Sequence, residues 1–311
     1  MIEIHEKQLA ELKPQQFNAI YDHHKLREEY INYASRLRDA KVFTGFPELD
    51  SKMNGLRPGE VMTIIAPTNT GKSAMALNLL YQMAKQSNDL IFYASTELGS
   101  ADIFERFVQL HFRMNVEDVE KMYSAKNVND SEVVNVIDLL GHVYAIIKKL
   151  KPTELTQYIQ YISENTGKRP RCLIVDHLQG LKLPASVNKA ESLDMTMQYL
   201  KEIALHLNLP IILTAHVSRE EAKGKMLSLY SGKGSGEIEN SSQIVFSLER
   251  FVDLPEDVKP AFHIEIMQEY GFGKIDLLKF TAHKKKRGQY KDVFLKLDLT
   301  SLKFSEIKPI M

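Results

Sequence analysis

The sequence predicts an α/β fold: a mainly parallel sheet with crossover helices, antiparallel strands at the C-terminal end, and a short N-terminal helical arm. Three observations predict it. Short apolar runs alternate with helical segments as far as Gln243, as strands joined by crossover helices do. One run, Val61–Ala66, leads straight into Ala66-Pro67-Thr68-Asn69-Thr70-Gly71-Lys72-Ser73 and a helical segment, the context of a phosphate-binding loop. Beyond Gln243 apolar runs follow one another with few helical gaps, as successive antiparallel strands would.

Taken in order, Pro14 to Ala40 is polar and charged, with Phe17, Ile20, Tyr21, Leu26, Tyr30, Ile31 and Leu37 at loosely helical spacing and no glycine. It reads as a helical arm, residues 1–40, that ends before Phe43-Thr44-Gly45-Phe46-Pro47. The remaining 41–311 forms one α/β domain. Its parallel strands are expected at Val61–Ala66, Leu90–Ser95, Val143–Ile147, Cys172–Val175 and Ile211–Thr214. Helices are expected at Gly71–Gln86, Ser100–Met114, Val133–Leu140, Thr153–Asn165 and Ala190–Leu207, the last with Leu193, Met197, Leu200, Ile203, Ala204 and Leu207 on one apolar stripe. The C-terminal strands are expected at Ile244–Leu248, Ala261–Met267, Leu277–Ala282, Val293–Leu297 and Leu302–Glu306.

Composition narrows the class of function. Lys and Arg number 40 and so do Asp and Glu, so the whole molecule exerts no net pull on nucleic acid or acidic lipid, and a polyanion site must be local. The local cationic runs are Lys284-Lys285-Lys286-Arg287 with Lys291, for which a solvated hairpin tip is the plain alternative, and Lys223, Lys225 and Lys233 among Gly224, Gly232, Gly234 and Gly236. One cysteine, Cys172, permits neither an internal disulfide nor a structural zinc site, which points to a reducing, intracellular compartment. There is no signal-peptide pattern and no apolar run long enough to span a bilayer, so no membrane role is expected.

The loop 66–73 offers specific chemistry. Backbone N–H groups from Ala66, Thr68, Asn69, Thr70 and Gly71 would wrap a phosphate at the start of a helix. Lys72 would supply a point charge for the β- and γ-phosphates, and Ser73 a hydroxyl for Mg2+. A second carboxylate for the metal should end a buried strand, and Asp176 after Cys172-Leu173-Ile174-Val175 does so. Leu90–Ser95, expected beside the loop's strand, places Glu97 where it could activate water; a helix-start carboxylate is the equal alternative.

These residues together resemble the RecA-like motor domain of DnaB-type replicative DNA helicases and their phage helicase-primase relatives, over roughly 41–306. The resemblance rests on ordered blocks. Ser95-Thr96-Glu97 with Arg106 nine residues on is similar to the family's strand ending in a catalytic glutamate. Asp176-His177-Leu178-Gln179 is similar to its Asp-Tyr-Leu-Gln, with His177 in place of the aromatic. Leu209-Pro210 and Ile211 to Arg219 resemble the sensor block, with His216 at the γ-phosphate sensor. Ser235-Gly236-Glu237-Ile238-Glu239-Asn240 resembles the motif that follows a DNA-facing loop, with Lys233 where a DNA-contacting arginine often stands. Lys285-Lys286-Arg287 carries the Lys-x-Arg that reaches a neighbouring subunit's ATP; counting back from Val293 gives Lys284 and Lys286 instead, so the finger is Arg287 or Lys286.

The resemblance implies ATP and Mg2+ as cofactors, with Glu97, Lys72, His216 and Arg287 catalytic, residues 66–73 and Lys285 holding nucleotide, and Ser73 and Asp176 holding metal. Lys223, Lys225 and Lys233 would hold single-stranded DNA in a homo-oligomer, a hexamer moving 5′ to 3′. About forty residues precede the motor region, fewer than the family's N-terminal helical domain. A primase or loader is thus left undetermined, and the Met1–Ala40 arm is expected to pack on the adjacent subunit. A recombination filament ATPase of RecA or RadA type and a KaiC-like regulatory ATPase share the P-loop core and stand as alternatives.

Overall fold

In the computed structural model, residues 21–124, 136–182, 189–217, 227, 235–255, 259, 263–270, 273–285 and 292–307 are described. The chain divides between Lys41 and Val42 into two compact units. The described part of the first is helix α1, His23–Ala40, whose N-terminus is capped by the Asp22 carboxylate on Lys25 N–H at 2.8 Å. Leu26 and Tyr30, one turn apart, are 57% and 67% exposed.

The second unit is built on one nine-stranded sheet in the order β3-β2-β4-β5-β1-β6-β7-β8-β9. Strands β1 (Val61–Ala66), β2 (Leu90–Ser95) and β3 (Val143–Ile147) keep the expected bounds, while β4 (Pro170–Asp176), β5 (Ile211–His216) and β6 (Ile244–Arg250) run longer. All six are mutually parallel. Strands β7 (Ile275–Lys285), β8 (Val293–Asp298) and β9 (Lys303–Ile307) then add antiparallel pairs, so the expected mixed sheet is the observed one.

Apolar alternation through β2 explains the layering. Ile91 and Tyr93 join one buried cluster and Phe92 and Ala94 the other, because successive strand side chains point to opposite faces. The first face is covered by α2 (Pro47–Met53), α3 (Lys72–Ala84) and α4 (Ser100–Phe112); α5 (Val116–Ser124) follows them in the chain. Against the second lie α6 (Pro152–Thr166) and α7 (Lys189–His206), the latter through the predicted stripe of Leu193, Met197, Leu200, Ile203 and Ala204. The short helix α8 (Ser235–Ser241) adds Ile238 to the same cluster just before β6. Burying such side chains contributes about 1.5–3 kcal/mol each for the larger ones. Residues 136–140 are helical, and the start of the helix expected at Val133–Leu140 lies outside the described residues.

Two expectations fail. Ala261–Met267 is not a strand: from His263 the chain forms helix α9, His263–Tyr270. The alternation of Phe262, Ile264 and Ile266 mimics a strand, but Ile264 is 52% exposed while Ile266 and Met267 face the small cluster of Phe251, Leu254, Ile275 and Leu277. A narrow inward face at helical spacing is enough where only one side is covered. Strand β2 is also not beside β1; β4 and β5 lie between them. A crossover helix of thirteen residues, as α3 is, can overlie one strand or several, so sequence contains no measure of its lateral reach.

The last strand locks the first face. Asn78 of α3 donates its amide to Leu302 O at 2.8 Å and accepts from Phe304 N–H at 2.9 Å, standing in for a neighbouring strand. Glu306 accepts from the N–H groups of Glu48 and Leu49 at 2.9 and 3.0 Å, satisfying the start of α2, where Phe46 offers no side-chain cap.

Candidate functional site

The candidate residues gather at the C-terminal ends of β1, β2, β4 and β5, where an open parallel sheet presents its loops. The loop from Ala66 opens α3 as expected. Asn69 and Gly71 take φ of 64° and 92°, turning successive N–H groups inward as an anion nest requires. At Gly71 a Cβ would meet Phe304 and Leu297 at ordinary contact distance, so glycine is needed there for its left-handed backbone and not for space.

Lys72 is 5% exposed. Its ammonium donates to Ala66 O at 3.0 Å and to Pro67 O, two carbonyls of its own loop. Burial lowers it to about 8, against the opposing charges of Asp176 and Glu97. Thr70 is buried, Thr68 and Asn69 are exposed, and Ser73 is half-buried in the first turn of α3.

Asp176 ends β4 at 1% exposure. Its Oδ2 accepts from the Tyr93 hydroxyl at 2.8 Å and its Oδ1 from the Thr214 hydroxyl at 2.6 Å. Burial, and then the Asp176 charge, push Tyr93 well above its ordinary value and keep it a donor, with Arg106 opposing. Because both carboxylate oxygens are engaged, Asp176 suits contact with a metal through water, while the half-buried Ser73 hydroxyl is free of that constraint. The pair fits Mg2+, which retains several waters.

Glu97 lies two residues beyond β2 with a 53% exposed side chain. It does not serve the start of α4: Asp102 accepts from Gly99 N–H at 3.0 Å and fills that place. Thr96 pins the segment, its N–H donating to Asp176 O at 2.8 Å and its Oγ1 accepting from His177 N–H at 3.1 Å. Glu97 Oε1 is 3.4 Å from His177 Nδ1 and 3.8 Å from His216 Nε2. Burial lowers both imidazoles, His216 to about 4 with Lys72 and His177 acting in the same direction. Both are neutral at pH 7, so these approaches are polar contacts and not ion pairs. Gln179 holds His216 by its main chain, donating to its O at 3.1 Å and accepting from its N–H at 3.0 Å.

Sequence reasoning missed Tyr93, Thr214 and Gly180. A tyrosine and a threonine inside otherwise apolar strands, each on the face shared with a strand-end polar residue, were the available signal. Gly180 ends the short helical turn Leu178–Gly180, and a Cβ there would fall 1.9 Å from Thr96 Oγ1 and 2.4 Å from Thr96 Cβ. The remaining expected residues are not brought to this site by the described part of the chain. Lys223, Lys225, Lys233, Lys286 and Arg287 lie outside the described residues, and Lys285 is described only by its backbone in β7. Lys284 donates to Glu239 O.

Comparison with known proteins matches residues 41–306 to the family model described as DnaB-like helicase C-terminal domain. Replicative DNA helicase DnaB of Mycoplasma genitalium is 28% identical over 247 residues, 73% of this chain and 51% of that protein. The Mycoplasma pneumoniae counterpart is 24% identical over 258 residues, 76% of this chain and 54% of that protein. The chain therefore spans about half the length of these curated relatives. Two solved structures share the fold at a TM-score of 0.71. One is a DnaB-like replicative helicase described with its interactions with primase, at 20% identity over 90% of this chain and 66% of that one. The other is an ATPase domain, at 18% identity over 93% of this chain and 100% of that one. No helix among the described residues is long and apolar enough to cross a membrane.

Gly180→Ala is expected to lower stability by about 1–3 kcal/mol, since the added methyl must displace Thr96 and with it the Glu97 segment. Thermal unfolding measures it. An unchanged melting temperature would mean that the Leu178–Gly180 turn can retreat and that Gly180 is not a packing requirement.

Proposed function

As the chain belongs to the DnaB-like helicase C-terminal domain family, we propose that it is an ATP-driven motor of the replicative-helicase type that moves along single-stranded DNA. The observation that carries this reading is the convergence of a buried lysine on a phosphate-type loop with two carboxylates of unlike setting, Asp176 enclosed and Glu97 open to solvent. Residues 66–73 hold the nucleotide, and Lys72 exchanges its own loop's carbonyls for β- and γ-phosphate oxygens. Ser73 and Asp176 hold Mg2+, which when bound supplies charge neutralisation on those oxygens. Glu97, exposed beside that loop, takes the proton from the attacking water, and His216 on β5 senses the γ-phosphate.

The same reading assigns the remaining expected residues. Arg287, or Lys286 in the other register, reaches with Lys285 into a neighbouring subunit's site in a hexamer, where a planar guanidinium suits dispersed phosphoryl charge. Lys223, Lys225 and Lys233 grip DNA. Residues 1–40 act as a linker arm, for which the exposed Leu26 and Tyr30 of α1 offer a contact surface, and 41–311 is the motor domain.

Separate measurement of ATP affinity and hydrolysis tests the chemistry. Glu97→Gln keeps affinity and loses about 10²–10⁴-fold in turnover, because it removes the base and leaves the cradle. Lys72→Ala loses affinity itself. Near-full hydrolysis by Glu97→Gln would dismiss Glu97 as the base.

A pH series reads Lys72 directly. Bound phosphate favours the ammonium, whereas in the free protein burial has lowered it to about 8. Nucleotide affinity is therefore expected to be constant below about pH 7.5 and to fall as pH rises through 8, by up to about tenfold per unit. Affinity that stays flat to pH 9.5 would show that Lys72 remains charged without nucleotide.

A further inference from the structure

One grouping beside the phosphate loop has chemistry that hydrolysis does not use. Glu97 Oε1, His177 Nδ1 and His216 Nε2 all lie within 4.8 Å of one another, the only such grouping of three or more His, Cys, Asp or Glu side chains among the described residues. An ion held tetrahedrally at about 2.0–2.1 Å keeps its ligands about 3.4 Å apart. The Glu97–His177 separation of 3.4 Å meets that spacing, and the Glu97–His216 separation of 3.8 Å exceeds it slightly.

The two rings are held in advance of any ligand. They pack edge to face with centroids 4.1 Å apart, His216 is clamped by Gln179 through its main chain, and the His177 N–H is fixed on Thr96. Glu97, 53% exposed, is the member able to adjust. His177 stands where the resembling motif has an aromatic, so the pairing of two imidazoles depends on that residue of this chain.

We propose that Glu97, His177 and His216 form a site for a borderline transition-metal ion such as Zn2+ or Co2+, and that filling it silences hydrolysis by withdrawing the Glu97 carboxylate from water. Two imidazole nitrogens and one carboxylate oxygen suit these ions, whereas Mg2+ demands octahedral oxygen ligands, so the Mg2+ that serves a nucleotide does not saturate the site. Three protein ligands leave one position facing solvent on the Glu97 side. The site rests on geometry alone; the silencing rests on the reading of Glu97 given above.

The test uses the untagged 311-residue chain without nucleotide, titrated with Co2+ in excess Mg2+ and followed by the visible absorption of the ligated ion. One equivalent is expected to bind, at least about 100-fold more weakly in His177→Asn and His177→Tyr. In parallel, Zn2+ is expected to inhibit ATP hydrolysis by the unsubstituted protein at concentrations that both variants withstand. The variants differ in size, and melting curves identify the one that folds. Equal Co2+ affinity in the unsubstituted protein and a folded variant overturns the site. Loss of Co2+ binding with no effect of Zn2+ on hydrolysis overturns the silencing alone. A protein that binds Co2+ as expected yet hydrolyses no ATP supports the site and refutes the proposed motor.

Discussion

The pair of hydroxyl groups closing on the Asp176 carboxylate is the constraint on which the rest of the site depends. A carboxylate at 1% exposure is costly unless both oxygens are hydrogen-bonded, and here the donors come from β2 and β5, the strands on either side of β4. Tyr93 and Thr214 therefore fix the relative height of three strand ends. From those ends spring Glu97, His177 and His216, so one buried polar requirement sets the positions of side chains that are themselves exposed or half-exposed. The main-chain link from Thr96 to Asp176 and the Gln179 side chain on the His216 main chain extend the same seam outward.

That seam also separates two carboxylates by environment. Asp176 is buried with a hydroxyl donor on each oxygen, while Glu97 has no hydroxyl donor among the described residues and faces solvent. Groups of one chemical type are thus suited to different tasks because their surroundings differ. The neutral state of His177 and His216 follows from the same partial burial, so at neutral pH Glu97 feels the Lys72 ammonium and not an imidazolium.

Much of this architecture was legible in the amino-acid order, for reasons that can be stated residue by residue. Strands β1 and β2 kept their expected ends because they are uncharged, mainly apolar runs followed at once by Pro67 and by Thr96-Glu97. The loop at 66–73 was legible because its glycine and lysine have few other uses after a buried strand. The helix at His263–Tyr270 was not, since two isoleucines two residues apart fit a strand as well as a one-sided helix. Short helices such as Pro47–Met53 have too few turns to show a period, and Glu306, the residue that completes that helix, is 258 positions from Glu48. Strand order escaped for a similar reason: nothing local in β2 records that β4 and β5 will separate it from β1. Tyr93, Thr214 and Gly180 matter through partners from other segments, which a reading along one segment does not bring together.

The fastening of α3 by the final strand bears on how the protein is made. Asn78 follows the phosphate loop closely, yet its two main-chain partners lie 224 and 226 residues further along. During synthesis the loop and its helix leave the ribosome long before Leu302 and Phe304 exist. A nascent chain can thus display the 66–73 loop and its helix while the strand that fastens Asn78 and the start of α2 is still untranslated.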